Sequence, residues 1–221
     1  MRTDTTTLTV PEWLAEASTD GFDTAIRINV KWWEKTLTRA GLEREMPPVV
    51  DGRLRRSDIF RLAEGGIGSE ETARSVLWAS LAWGEGPRAF RNPGRVRSFL
   101  EDTARHSSVL AEALILSGSD PEAAYARMYG QTKNLGPAFF TKAMYFAGGG
   151  KIGHPSLVLD ARVAYALRNF CGWESLHTGG GWPVDTYGRY CALLARWADE
   201  LSTDDTPIGP AHLEYRLFTR R

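Results

Sequence analysis

The sequence predicts an all-α protein. Apolar residues recur at three- and four-residue steps over most of its length, as in residues 69–84, where Ala73, Val76, Leu77, Leu81 and Trp83 fall on one stripe. Residues that start and stop helices bracket these stripes. No run of alternating apolar and polar residues is backed by a hairpin turn pair, so a sheet of any size is not expected.

In chain order, helices are expected over about 22–40, closed by Gly41, and over 57–64. Ser69 is placed to cap the next, with Glu70 and Glu71 in its first turn and Gly84 as its stop. A long helix over 94–117 follows. Asp120 caps a helix over 121–129; Pro121 sits at its first position, where a missing N–H costs nothing, and Gly130 ends it. Helices over 138–147, 157–170, 184–201 and 210–219 complete the series. The longest loops read AGGGKIGHPS and LHTGGGWP, and no repeat or low-complexity tract occurs. The MPPVVDG stretch is the best boundary for an N-terminal lobe, 1–46, although one body spanning 1–221 is equally allowed.

Composition narrows the function classes. The chain has 221 residues, 43% hydrophobic and 11% aromatic, enough for one sizeable core. Its first residues show no basic stretch followed by an apolar run, and no window of about 18 uncharged apolar residues occurs, so secretion and membrane insertion are not expected and the setting should be cytoplasmic. Cys171 and Cys191 are too few for a four-thiolate centre, and His106, His154, His177 and His212 lack metal-ligand spacing. Net charge is zero, which gives no support to nucleic-acid binding. Locally, though, residues 86–97 carry Arg88, Arg91, Arg95 and Arg97 without an acid, and Arg53, Arg55, Arg56 and Arg61 face only Asp51 and Asp58. These runs suit either solvated helix faces or phosphate contacts. Trp32, Trp33, Trp78 and Trp83 lie on predicted helices and read as core.

Chemistry points to one stretch, LGPAFFTKAMYF at 135–146, which holds Lys142, one of only five lysines beside 22 arginines. Most of it is an apolar helix, where an unpaired ammonium costs several kcal/mol. Eighteen residues later Asp160 stands where a helix begins. The ordinary roles are a lysine that snorkels to the surface and an aspartate that caps. The alternative is catalysis: a carboxylate stabilises positive charge on a sugar whose glycosidic bond is breaking, and a neutral amine captures its C1′ as a Schiff base. Partial burial among Phe139, Phe140, Tyr145 and Phe146 would lower the lysine's pKa for that task.

Pro137, Thr141 and Lys142, followed at that spacing by Leu159-Asp160-Ala161-Arg162-Val163, resemble the catalytic segment of the helix-hairpin-helix DNA glycosylases, and within them the 8-oxoguanine glycosylase branch with its attacking lysine. The likeness is clearest over about 120–170. One departure stands out: where the family hairpin has two glycines, this chain has Ala138 and Phe140, and Gly136 precedes the proline, so the hairpin is expected to be either reshaped or less snug on DNA.

The resemblance implies a helical bundle with the active-site cleft between lobes and Lys142 and Asp160 as catalytic pair. It implies a base pocket walled by Phe146, one turn beyond Lys142, and by Glu214 and Phe218 of the last helix, the carboxylate reading a guanine-type edge. Arg88, Arg91, Arg95, Arg97 and Arg162 become candidate DNA contacts. The implied partner is double-stranded DNA holding a damaged or modified base, met by a nucleoid-associated monomer with no organic cofactor; a monovalent cation on the hairpin is the one implied ion. Base removal with abasic-site lyase activity is the expected reaction, on 8-oxoguanine or a bulkier modified base such as one of phage DNA. A non-catalytic DNA-binding module, favoured by a Lys142 that is exposed and far from Asp160, and a helical interaction protein, which zero net charge favours, remain as rivals.

Overall fold

The computed structural model describes residues 2–16, 20–88, 90–203 and 206–220. Among them are eleven α-helices and a single two-stranded sheet. The helices are α1 (Glu12–Glu16), α2 (Val30–Arg39), α3 (Arg56–Leu62), α4 (Glu70–Glu85), α5 (Asn92–Leu100), α6 (Thr103–Leu116), α7 (Pro121–Met128), α8 (Pro137–Phe146), α9 (Ala161–Phe170), α10 (Val184–Leu201) and α11 (Pro210–Thr219). The sheet pairs β1 (Ile26–Arg27) with β2 (Arg53–Leu54) antiparallel, Ile26 opposite Leu54.

Local chemistry sets most boundaries. Ser69 accepts from Thr72 N at 3.1 Å and Asp120 from Ala123 N at 2.9 Å, each satisfying an amide with no partner inside its helix. Helix α4 runs past Gly84 and stops at Gly86, whose φ of +63° suits only glycine without strain. The helix expected over 94–117 is two: Asp102 breaks it by turning its carboxylate onto Arg105 N at 3.3 Å to cap α6. The helix expected over 22–40 begins only at Val30, behind an Asn29 cap. Residues before it are drawn to α3, because Asp23 accepts from Ser57 N and Oγ at 2.9 and 2.8 Å.

Helix α4 runs through the centre, all of Val76–Ala82 buried, against α3, α6 and α8. Helices α7 and α10 pack together beyond α6, and α11 lies across α10 and α9. Helix α8 is apolar around its circumference, and every residue from Phe140 to Phe146 is buried, as such a helix must be. Residues 157–159, expected as the start of a helix, lie outside any helix instead. Their backbone is held by side chains: Tyr187 Oη bonds Leu157 N and O, Tyr190 Oη donates to Val158 O, and Thr141 Oγ1 accepts from Leu159 N at 3.2 Å.

Contacts cross the segment around residue 46 on both sides. Glu45 is 3% exposed and accepts from Arg74 Nε at 2.9 Å and from Trp78 Nε1 at 2.9 Å, both on α4. Arg74 Nη1 goes on to Ser107 of α6 at 3.0 Å. Cys171 and Cys191 are buried and not joined to each other. Among the described residues no helix is long and apolar enough to cross a membrane. Glu45→Ala leaves Arg74, in a mostly buried site, with only the exposed Glu70 at 3.9 Å as its acidic partner and leaves Trp78 Nε1 unpaired, so we expect urea unfolding to show a loss of about 3–5 kcal/mol; a loss under about 1 kcal/mol would show that water replaces the carboxylate.

Candidate active site

Five elements converge on one pocket of about 340 Å³. Helix α3 brings Arg56, the end of α4 brings Trp83 and Gly84, α8 brings Lys142, the cap of α9 brings Asp160, and α11 brings Glu214 and Phe218. Its volume falls in the range of small-ligand sites.

Lys142 is 6% exposed, which rules out a snorkelling surface lysine. Its Nζ donates to Ala138 O at 2.7 Å and lies 3.5 Å from Asp160 Oδ2. Burial lowers its pKa; Asp160 and Glu214 oppose that shift and Arg56 adds to it. Asp160 caps and faces the pocket together: Oδ1 accepts from Arg162 N at 3.0 Å and Val163 N at 3.1 Å, while Oδ2 meets the lysine. Two helix-terminal amides therefore fix the orientation of the carboxylate that faces the amine. The hydrogen bond between Leu159 N and Thr141 Oγ1 ties the residue before Asp160 to the residue before Lys142. Gly84 lines the same space: a Cβ there would come within 3.2 Å of Lys142 Cδ and 3.1 Å of Phe139 Cε1.

Glu214 is 2% exposed, and its Oε2 stands 3.7 Å from Arg56 Nη1, at ion-pair but not hydrogen-bond distance. Burial pushes its carboxyl up to about 7, against the opposing charges of Arg56 and Lys142. Arg56 is itself 3% exposed, enclosed by Phe22, Trp83, Tyr215 and Tyr145 with its Cζ 4.5, 4.7, 5.5 and 5.6 Å from their centroids. These rings meet the cation with their electron-rich faces, and Tyr145 Oη accepts from Nη1 at 3.2 Å.

Of the residues singled out in the sequence, Lys142, Asp160, Glu214 and Phe218 come together here. Phe146 does not line the pocket. It shares the helix face of Lys142, but lies fully buried against Phe60 and against the edge of Trp83, ring centroids 5.3 and 5.5 Å away. Trp83, read from the sequence as core, forms that wall. Arg88, Arg91, Arg97 and Arg162 are exposed, and Arg162 stacks over Phe218 at 4.2 Å. Arg95 is not available to a phosphate: it is 5% exposed, paired with Glu85 at 2.6 Å and laid on Phe139 at 3.4 Å. It points inward because α5 turns its Arg95, Val96 and Phe99 side to the core. Ala89, within the same basic run, lies outside the described residues.

Arg56 was within a basic run but not recognisable there as a site residue. Its signal is positional: Arg56, Ile59, Phe60 and Ala63 follow one helical stripe whose other members are buried or half-buried. The connection between α7 and α8 spans residues 129–136. It turns through the left-handed region at Gly130 (φ +73°) and Asn134 (φ +65°), not at Gly136, and Asn134 is anchored to Ser98 Oγ at 3.0 Å. Among the described residues no group of three His, Cys, Asp or Glu is placed to hold a metal ion.

The raised carboxyl of Glu214 has a thermodynamic consequence. The unfolded chain releases this proton near 4.5 and the native protein near 7, so stability falls as pH rises through that window, by at most about 3 kcal/mol. Glu214→Gln removes the titration. We expect the stability of the variant relative to the parent, measured by urea unfolding, to improve by about 2–3 kcal/mol between about pH 5 and about pH 8; a constant difference would mean that the carboxyl titrates normally.

Comparison with curated proteins and with solved structures found no match. A protein-family model, described as "Putative 8-oxoguanine DNA glycosylase OGG-like protein", matches residues 20–218. That span holds every residue of the pocket, and the chain belongs to this family of OGG-like DNA glycosylases.

Proposed function

We propose that the protein excises a modified purine, 8-oxoguanine foremost, from DNA through a Schiff base on Lys142, with abasic-site lyase activity. The observation that carries this reading is the 3.5 Å approach of a buried amine to a half-buried carboxylate, both lining a base-sized pocket that also includes Trp83 and Phe218.

The target nucleotide leaves the stack and its base enters between Trp83 and Phe218. As the N-glycosidic bond lengthens, positive charge grows on the sugar and Asp160 stabilises it. The lone pair of Lys142 Nζ forms a bond to C1′ while the bonding pair leaves with the base, which takes up a proton. Loss of a proton from the new C1′ amine and opening of the sugar ring give the imine, from which elimination at C3′ breaks the strand. Burial lowers the pKa of Lys142, so the attacking free base costs less to form, and Asp160 is close enough to accept its proton. Exposed Arg88, Arg91, Arg97 and Arg162 serve as phosphate contacts. No step needs an organic cofactor or the hairpin cation.

Borohydride trapping tests the reading. We expect a covalent adduct with duplex DNA containing 8-oxoguanine opposite cytosine, abolished in Lys142→Ala. Asp160→Asn should keep the helix cap, since asparagine caps as well as aspartate, but slow adduct formation by about 10²–10³. An adduct with an abasic site alone would retain the lysine chemistry and assign another base; no adduct with either would sink the proposal.

A further inference from the structure

The lysine chemistry leaves one proton without a source, the one that the departing base takes up. Lys142 attacks as the free amine, and Asp160 acts as a carboxylate whose Oδ1 already accepts two amides, so neither supplies it. The other polar side chains lining the pocket are Arg56, Trp83, Glu85 and Glu214. A guanidinium does not deprotonate in proteins, and an indole N–H donates a hydrogen bond but keeps its proton. Glu85 is engaged elsewhere: against its burial, bonds from Arg95 Nη1 at 2.6 Å and Arg91 N at 3.2 Å hold its carboxyl below the usual range. Glu214 is left. It is 2% exposed, and among the described residues its Oε2 has no hydrogen-bond partner, a rare condition for a buried oxygen. Burial keeps its carboxyl neutral up to about 7; Arg56 of α3 and Lys142 of α8 oppose that, and Asp160 at the cap of α9 favours it. Tyr145 of α8 and Tyr190 of α10, whose hydroxyls burial holds protonated, complete its surroundings.

We infer that Glu214 is the general acid of this site, giving a proton to the base as its bond to the sugar breaks. The bonding pair leaves with the base, the proton passes from the carboxyl to a ring nitrogen or carbonyl oxygen, and the base departs neutral instead of as an anion. The carboxylate left behind lies 3.7 Å from Arg56 Nη1, a cation already packed among four rings, so the charge that forms has its partner in place. The proton that the new C1′ amine sheds balances the one that Glu214 gives. This role reverses the one that the resemblance implies for Glu214: the group enters the reaction as a donor, and it acts on bond breaking, not on which base is held. The inference rests on the glycosylase reading in taking the leaving group to be a base on DNA.

The test compares two reactions of the full-length protein: single-turnover release of free base from a duplex holding 8-oxoguanine opposite cytosine, and borohydride trapping on an abasic duplex, which has no base to expel. Glu214→Gln keeps the shape of the side chain but has no acidic proton, so its ratio of base release to abasic trapping should fall by about 10²-fold or more. The neutral carboxyl is the active form. The parent's ratio should therefore decline as pH rises above about 7, approaching a tenfold loss per unit, whereas the ratio of the variant stays flat. A variant ratio within about threefold of the parent's, a parent ratio that holds above pH 7, or an abasic adduct with no base released by the parent would overturn the inference alone. Failure of the lysine chemistry looks different: base released without an adduct on either DNA, and lost in Glu214→Gln, would remove the Schiff base and leave proton donation standing, whereas neither release nor adduct would remove both.

Discussion

Everything around the pocket depends on one electrostatic constraint: two cations and two carboxylates share an interior that water barely reaches. Lys142 and Arg56 are the basic groups, Asp160 and Glu214 the acidic ones, and three of the four are at most 6% exposed. Any one of them alone would face a desolvation penalty of several kcal/mol. As a set they compensate one another incompletely. The lysine still has a lowered pKa and Glu214 a raised one. That residue of unmet solvation shifts both groups toward their neutral forms.

The scaffold keeps these charges from escaping. An exposed lysine helix could rotate its amine to water, but α8 has no polar face to turn outward, and its seven buried residues hold it in register with α4. On the other side of the pocket, Asp160 follows a non-helical segment whose backbone groups are bonded by two tyrosines of α10 and by Thr141. A helix begun at residue 157 would have met the carbonyls of Leu157 and Val158 internally, left the amides of Leu157 and Leu159 unpaired in its first turn, and carried the aspartate elsewhere. The tyrosine hydroxyls therefore matter to the site although they do not line it.

How much of this the sequence showed depends on whether the governing interaction is local. Caps are local, and Ser69, Asp120 and Asp160 cap as their residue types and neighbours indicate. The α10 and α11 bounds match periodicity alone, because both helices are amphipathic from end to end. Asp102 between two apolar stretches was missed as a break because the stripe continues on either side of it. Phe146 and Trp83 exchanged roles for a tertiary reason: both lie on apolar helices, and only the crossing of α4 with α8 decides which ring reaches the pocket. Arg95 and Arg56 look like surface arginines by composition, yet each is held inside by an acid distant in the fold or chain and by aromatic rings. Charge counting cannot see such pairing.

Gly84 shows what the arrangement costs. It sits inside a sixteen-residue helix, where alanine is favoured over glycine by about 1 kcal/mol. Here the missing methyl group is the clearance for the Lys142 side chain and the Phe139 ring. The best helix former for that position is thus the residue that would crowd the amine. A sturdier helix and room for the Lys142 side chain pull this position in opposite directions, so a stabilised version of the protein would best take its gains at helix faces away from the end of α4.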